Sequence, residues 1–152
     1  MRIVVSEFMS LDGVIQAPGG AGEDTDGGFA HGGWSMPFFH PETMGAAMDR
    51  VLTNSDALLF GRRTWETMAA AWPERAGDPF ADRMNSIPKH VASRSLAQSD
   101  LNWENSMLLE GDAITAVGKL KARPGRNMLV MGSSNLVQQL IAAELVDEYL
   151  LM

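Results

Sequence analysis

Apolar residues fall along this chain in two rhythms. Ile3-Val4-Val5, Ala57-Leu58-Leu59-Phe60 and Met128-Leu129-Val130-Met131 are unbroken runs, each too short for a helix and each closed by polar residues or glycine. Runs of that kind suit strands buried on both faces. Between them the apolar positions recur at helical spacing: Met44, Met48, Val51 and Leu52, then Ala113, Ile114, Val117 and Leu120, then Leu136, Val137, Leu140, Ile141 and Leu145. The pattern predicts strands over residues 2–8, 57–60, 88–93 and 127–131, a brief extended piece over 106–109 and a strand opening at Glu148. Helices are predicted from Pro41 to the Asn54-Ser55-Asp56 break, over 64–72 up to Pro73, over 79–85, after the Gly111-Asp112 cap and after Gly132-Ser133-Ser134.

Strands alternating with helices imply an α/β fold with a largely parallel sheet, right-handed crossovers and helices on both faces. In such sheets ligands bind beyond the carboxyl ends of the strands, where Gly61, Ser93 and Gly132 all fall. One segment breaks the alternation. Residues 13–40 hold eight glycines, Pro18, Pro37 and the acids Glu23, Asp24 and Asp26. A loop of that length inside a compact domain is functional or mobile. Trp34, Phe38 and Phe39 predict that residues 32–37 pack down while 19–28 stay free to move.

Composition narrows the partners. The 152 residues make a single domain, 1–152, with 45% hydrophobic content for a core. A net charge of −7 and a pI near 4.8 argue against nucleic acid and anionic membrane, both of which demand a basic face. The absence of cysteine removes disulfides, thiolate metal sites and a cysteine nucleophile, and fits a cytoplasmic location. No apolar stretch approaches the roughly 20 residues that span a bilayer. His31, His40, Glu23, Asp24 and Asp26 match no ligand spacing, so no metal is expected. The methionines read as core filler.

The chemistry concentrates at Leu58-Leu59-Phe60-Gly61-Arg62-Arg63-Thr64-Trp65-Glu66, a buried strand turning into a helix. Gly61 lets the backbone approach a ligand, Arg62 and Arg63 face the same space as the helix N–H groups, and Thr64 is a plausible cap. Alone, this is equally a surface turn with solvated arginines. Gly132-Ser133-Ser134-Asn135 is a phosphate cradle or an ordinary capped helix start, and Ser93-Arg94-Ser95 is a third polar strand end. Together they set two helix N-termini and three arginines at one sheet edge, which suits a ligand with several phosphates.

The chain resembles the dihydrofolate reductase-like fold, and within it the reductase domain of bacterial riboflavin biosynthesis. The matching segments are Met9-Ser10-Leu11-Asp12-Gly13, Leu59 to Glu66, Lys89-His90-Val91-Ala92-Ser93-Arg94-Ser95-Leu96, and Met131-Gly132-Ser133-Ser134 with Gln138-Gln139-Leu140 to Leu145-Val146-Asp147-Glu148. The resemblance implies an NADPH site in which Arg62, Arg63 and Thr64 hold phosphates, Ser93 and Arg94 read the 2′-phosphate and adenosine end, and Gly132 to Asn135 cover the pyrophosphate. The nicotinamide would lie by the first strand and the turn over residues 10–13. An arginine reader favours NADPH over NADH.

Three departures accompany it. The glycine-rich loop ending in His31-Gly32-Gly33-Trp34 replaces the region that would grip a ribityl or ribosyl phosphate. The buried acid that the folate enzyme carries on its first helix has no counterpart beyond Glu42 and Asp49. Asp12 is therefore the catalytic candidate, with a turn residue capping Gly13 as its other role. The family's final antiparallel strands are apparently missing after Met152, so the chain is truncated or a second subunit completes the sheet as a homodimer. The expected function is an NADPH-dependent reductase of a small heterocycle, a pterin or pyrimidine, with Trp34 near the substrate. The alternative is a nucleotide-binding protein of the same fold without turnover.

Overall fold

The computed structural model describes all 152 residues. The elements are β1 (Arg2–Glu7), α1 (Ala46–Thr53), β2 (Ser55–Gly61), α2 (Arg62–Ala71), α3 (Pro79–Ser86), β3 (Lys89–Ala92), β4 (Ser106–Leu108), α4 (Ala113–Lys121), β5 (Asn127–Val130), α5 (Ser134–Ala142) and β6 (Glu148–Leu151). Six strands form one sheet in the order β4-β3-β2-β5-β1-β6, and every pairing is parallel. This is the α/β sheet of the dihydrofolate reductase-like fold, with β6 as an outer parallel strand.

The unbroken apolar runs are explained by a sheet covered twice. Ile3, Val5, Ala57, Leu59, Met128 and Val130 pack with Val117 and Leu120 of α4 and Leu136, Val137 and Leu140 of α5. The alternate residues Val4, Leu58, Phe60 and Leu129 pack on the other face with Leu52 of α1, Trp65 of α2 and Met84 of α3. Each fully buried side chain of this size contributes about 1.5–3 kcal/mol. Phe60 also stacks on Trp103 with ring centroids 6.0 Å apart.

The helix starts follow two rules. Asp78 and Asp112 cap α3 and α4, accepting from the N–H of Ala81 and Thr115, as short acidic caps do. The helix after β2 begins at Arg62, two residues before the position expected from the sequence, and its N-cap is Gly61. Thr64 is therefore not a cap. Arg62 and Arg63 continue straight from the strand into the first helical turn. The first helix likewise opens with a π-turn over Pro41–Gly45.

The long loop is more ordered than its glycines suggest. Gly33 N donates to Ala17 O at 2.8 Å, and Ser35 Oγ donates to Pro18 O at 2.8 Å. Ser35 is buried, but Met36 and Phe38 are exposed, so the 32–37 end packs down only in part. The stretch 19–28, expected to be free, is tied as well. Glu23 accepts from the N–H of Gly19 and Gly20, and Asp26 pairs with Arg63.

Candidate functional site

Because all six strands run the same way, their carboxyl ends share one edge. Gly61 sits in register with Ala92, one residue before Ser93. The pairing of Leu59 with Val130, carried two residues on, sets Gly61 beside Gly132. The ends of β3, β2 and β5 thus bring the three expected turns side by side.

The two inner turns interlock. Thr64 Oγ1 and Ser133 Oγ share a hydrogen bond of 2.8 Å. A Cβ on Gly61 would stand 2.4 Å from Ser133 Oγ, and one on Gly132 would stand 2.8 Å from Thr64 Oγ1. Gly61 has φ of −76°, so close approach alone requires glycine there. Gly132 has φ of +95°, which adds a backbone reason. The Gly132-Ser133 peptide bond is cis.

This interlock leaves two helix N-termini open. The N-cap of α2 is a glycine, and Ser133, the N-cap of α5, makes no cap bond because its hydroxyl serves Thr64. The first-turn N–H groups of both helices therefore lack side-chain partners, unlike those of α3 and α4. Free N–H groups and the positive ends of two helix dipoles favour an anion at this edge. Ser134 and Asn135 are exposed beside it. Asn135 Oδ1 accepts from Gln139 at 2.6 Å.

The three arginines are present but two are already paired. Arg62 Nη1 bonds Glu66 at 3.1 Å, and Arg63 bonds Asp26 of the long loop. Arg94 is exposed and lies close enough to Asp112 to help hold that carboxyl below its ordinary value, after the hydrogen bonds from Thr115. Ser93 Oγ accepts from the N–H of Ser95 and Leu96 at 3.1 and 3.0 Å, which fixes the turn carrying Arg94.

The acids singled out in the sequence, Asp12, Glu42 and Asp49, lie where their elements put them, and all three are exposed. Asp12 is exposed, and its Oδ1 accepts from Ser10 Oγ at 2.6 Å. That hydrogen bond holds its carboxyl below the usual range. Ser10 Oγ also accepts from Val14 N, so these residues build the turn over Gly13. Glu42 and Asp49 are exposed. The acid with a buried oxygen is Glu7, the last residue of β1, which is half-buried as a whole. It shares strand parity with Ile3 and Val5, so its side chain enters the face covered by α5. Its Oε1 is buried without a hydrogen-bond partner. Burial pushes the carboxyl up to about 7, against a hydrogen bond from the N–H of Gly132 that lowers it. The signal was in the sequence: in a strand covered on both faces, the carboxylate of Ile3-Val4-Val5-Ser6-Glu7 shares the face of Ile3 and Val5 and ends an apolar run with no cation beside it.

Trp34 is half-buried, and its Nε1 donates to Gln16 O at 2.9 Å. Trp72 packs against Phe80 with centroids 5.3 Å apart. Glycine at the closest approach, open helix N-termini, two hydroxyls and three arginines at one edge are a donor set that fits the phosphates of a dinucleotide.

The sequence profile of the RibD C-terminal domain family matches residues 2–152. An uncharacterized protein of Bacillus subtilis strain 168, YyaP, is 24% identical over 157 aligned residues, covering 97% of this chain and 71% of its own. The crystal structure of a candidate riboflavin biosynthesis protein from Shewanella sp. PV-4 superposes with a TM-score of 0.68 at 20% identity. That match covers 99% of this chain and 75% of the other, and supports the fold.

Proposed function

The chain belongs to the RibD C-terminal domain family, a reductase-like family, and from that premise we propose that it is an NADPH-dependent reductase of a small pterin- or pyrimidine-type heterocycle. The observation that carries the reading is the interlocked junction of Gly61, Thr64, Gly132 and Ser133, which holds two uncapped helix N-termini at one sheet edge. Arg62, Arg63 and Thr64 hold phosphate on one side of the junction, and Gly132, Ser133, Ser134 and Asn135 cover the pyrophosphate on the other. Ser93 and Arg94, one strand outward, read the 2′-phosphate. When bound, NADPH supplies the hydride; the protein's part is to hold cofactor and substrate against each other and to exclude water. Asp12 shapes the turn beside the nicotinamide, and Trp34 sits in the loop that borders the substrate.

Titration with NADPH followed by tryptophan quenching tests the cofactor site. Loss of reduced-nicotinamide absorbance with a panel of pterins, pyrimidines and imines tests the reaction. Binding with no oxidation across the panel would assign a nucleotide-binding protein without turnover, and no binding would end both readings. Arg94→Glu is expected to weaken NADPH more than NADH, since only NADPH loses a partner for its extra phosphate; equal losses would remove Arg94 from the site.

A second copy of the chain completes the proposal. The outer edge of β6 is unpaired, with Tyr149 and Leu151 each about half exposed (48% and 49%), and pairing edge to edge relieves such a strand. Light scattering at micromolar concentration is expected to report a dimer.

A further inference from the structure

Oε1 of Glu7 is the only buried side-chain nitrogen or oxygen in the molecule without a hydrogen-bond partner. A native fold rarely leaves such a group without a purpose. The strand register explains why it sits where it does. Glu7 stands opposite Leu151 of β6, and the β1–β5 register extended two residues puts it beside Gly132. The register thus sets it beside the turn that leads into α5, the one assigned to the pyrophosphate.

No cationic side chain pairs with it. Neither α5 nor β5 carries a charged residue. On β6, Glu148 is paired with Arg2 at 3.0 Å toward the far end of the strands, and Tyr149 stands opposite Val5. On α4, Lys119 is exposed, and Lys121 is held by Asp147 and the carbonyl of Leu145. Asp12, in the turn after β1, is exposed. Arg62 and Arg63 are drawn outward to Glu66 and Asp26. A carboxylate at Glu7 would therefore add a negative charge behind the turn that receives phosphate, opposed there by the Gly132 N–H.

We propose that Glu7 is a proton-linked member of the cofactor site: the seated phosphates require it as the neutral acid behind Gly132, and it takes up a proton when a phosphate-bearing nucleotide binds. The inference rests on the NADPH reading and adds a residue and a coupling to it. Two like charges at close range disfavour each other, so bound phosphate strengthens the hold of Glu7 on its proton. By linkage, the protonated protein binds the nucleotide more tightly, and affinity falls as pH rises past the point where free Glu7 ionises.

Calorimetric titration of the whole chain with NADP+, in buffers of different ionisation enthalpy, measures this. At about pH 8 the wild type should take up more than about half a proton per NADP+, and its affinity should fall toward tenfold per pH unit between about pH 7.5 and 9. The 2′-phosphate, whose second ionisation lies near 6, is already fully charged there. Glu7→Gln should bind NADP+ with no uptake and a flat pH profile. NADP+ binding without uptake, or Glu7→Gln retaining the wild-type slope, would overturn the inference and leave the NADPH reading intact. Failure of NADP+ to bind at all would overturn both. Should Glu7→Gln fold poorly, carbon-13 titration of the Glu7 carboxyl in the wild type decides: its midpoint should rise on saturation with NADP+, and an unmoved midpoint sinks the coupling.

Discussion

The two edges of the parallel sheet treat their polar groups in opposite ways. At the amino ends of the strands nearly every such group is closed off. The Met1 ammonium donates to the carbonyls of Lys121 and Arg123 at 2.6 Å, and Arg126 bonds Asp56 through its backbone and its guanidinium. Arg83 donates to Ser55 O at 2.6 Å. Fully buried Lys89 donates to the carbonyls of Asn85, Ile87 and Glu104 at 2.8, 2.9 and 2.8 Å, and its Nζ lies 4.4 Å from the centre of the Trp103 ring. At the carboxyl ends, glycines replace side chains, two helices start uncapped and a buried carboxyl oxygen has no partner. One edge is finished by the chain itself, and the other keeps open N–H groups and an unpartnered carboxyl oxygen, which is where the proposed cofactor would sit. The contrast separates residues that serve stability from those that serve recognition.

Lys89 should give the largest effect. Lys89→Ala leaves three carbonyls unanswered and is expected to cost about 3–5 kcal/mol in urea unfolding, because removing one partner strands the others. The remaining folded protein should bind NADPH normally, since the change lies at the far edge.

Glu7 comes next, with the opposite sign. Its folded carboxyl titrates near 7 rather than at the ordinary 4.5. The folded chain therefore holds a proton that the unfolded chain has released, and stability is lost as pH rises from about 4.5 through 7. Glu7→Gln should be the more stable protein at pH 8 by at most about 3 kcal/mol, with no advantage below pH 4. Denaturant unfolding across that range checks it, and a wild type whose stability is flat there would contradict the buried ionisation.

Gly61→Ala should cost about 1–3 kcal/mol through the overlap with Ser133 and abolish NADPH binding. Adding Ser133→Gly should restore stability, because it removes the opposing side chain. Asp26→Asn should give the smallest change: freeing Arg63 should tighten NADPH by about two- to fivefold at low salt and less at high salt.

Much of the open edge is legible in the order of residues. Gly61 and Gly132 each close a run of apolar residues, Ser93 closes a shorter strand, and a parallel sheet puts all such closures on one side. Their roles inside the turns are not legible there. Thr64 resembles a helix cap in sequence, yet its hydroxyl serves Ser133, a residue far along the chain, and no local pattern encodes that pairing. The acids show the same limit. Asp12, in a conspicuous turn motif, is exposed and bonded to Ser10, whereas Glu7 ends a strand covered on both faces, where parity tells only which face it joins. The loop over 19–28 reads as free because its acids look solvated, and Glu23 and Asp26 turn out to hold it.

Hydrophobic period and turn chemistry are local properties, so the amino-acid order suffices for the alternation of strands and helices, the parallel sheet and the edge at which the three turns gather. Which groups at that edge remain unsatisfied is set by the folded arrangement and by nothing local. Satisfaction of a hydrogen-bonding group depends on which distant residue the fold brings within 3 Å or so of it. Thus Lys89 finds three carbonyls across the fold, while the Oε1 of Glu7 finds no partner at all.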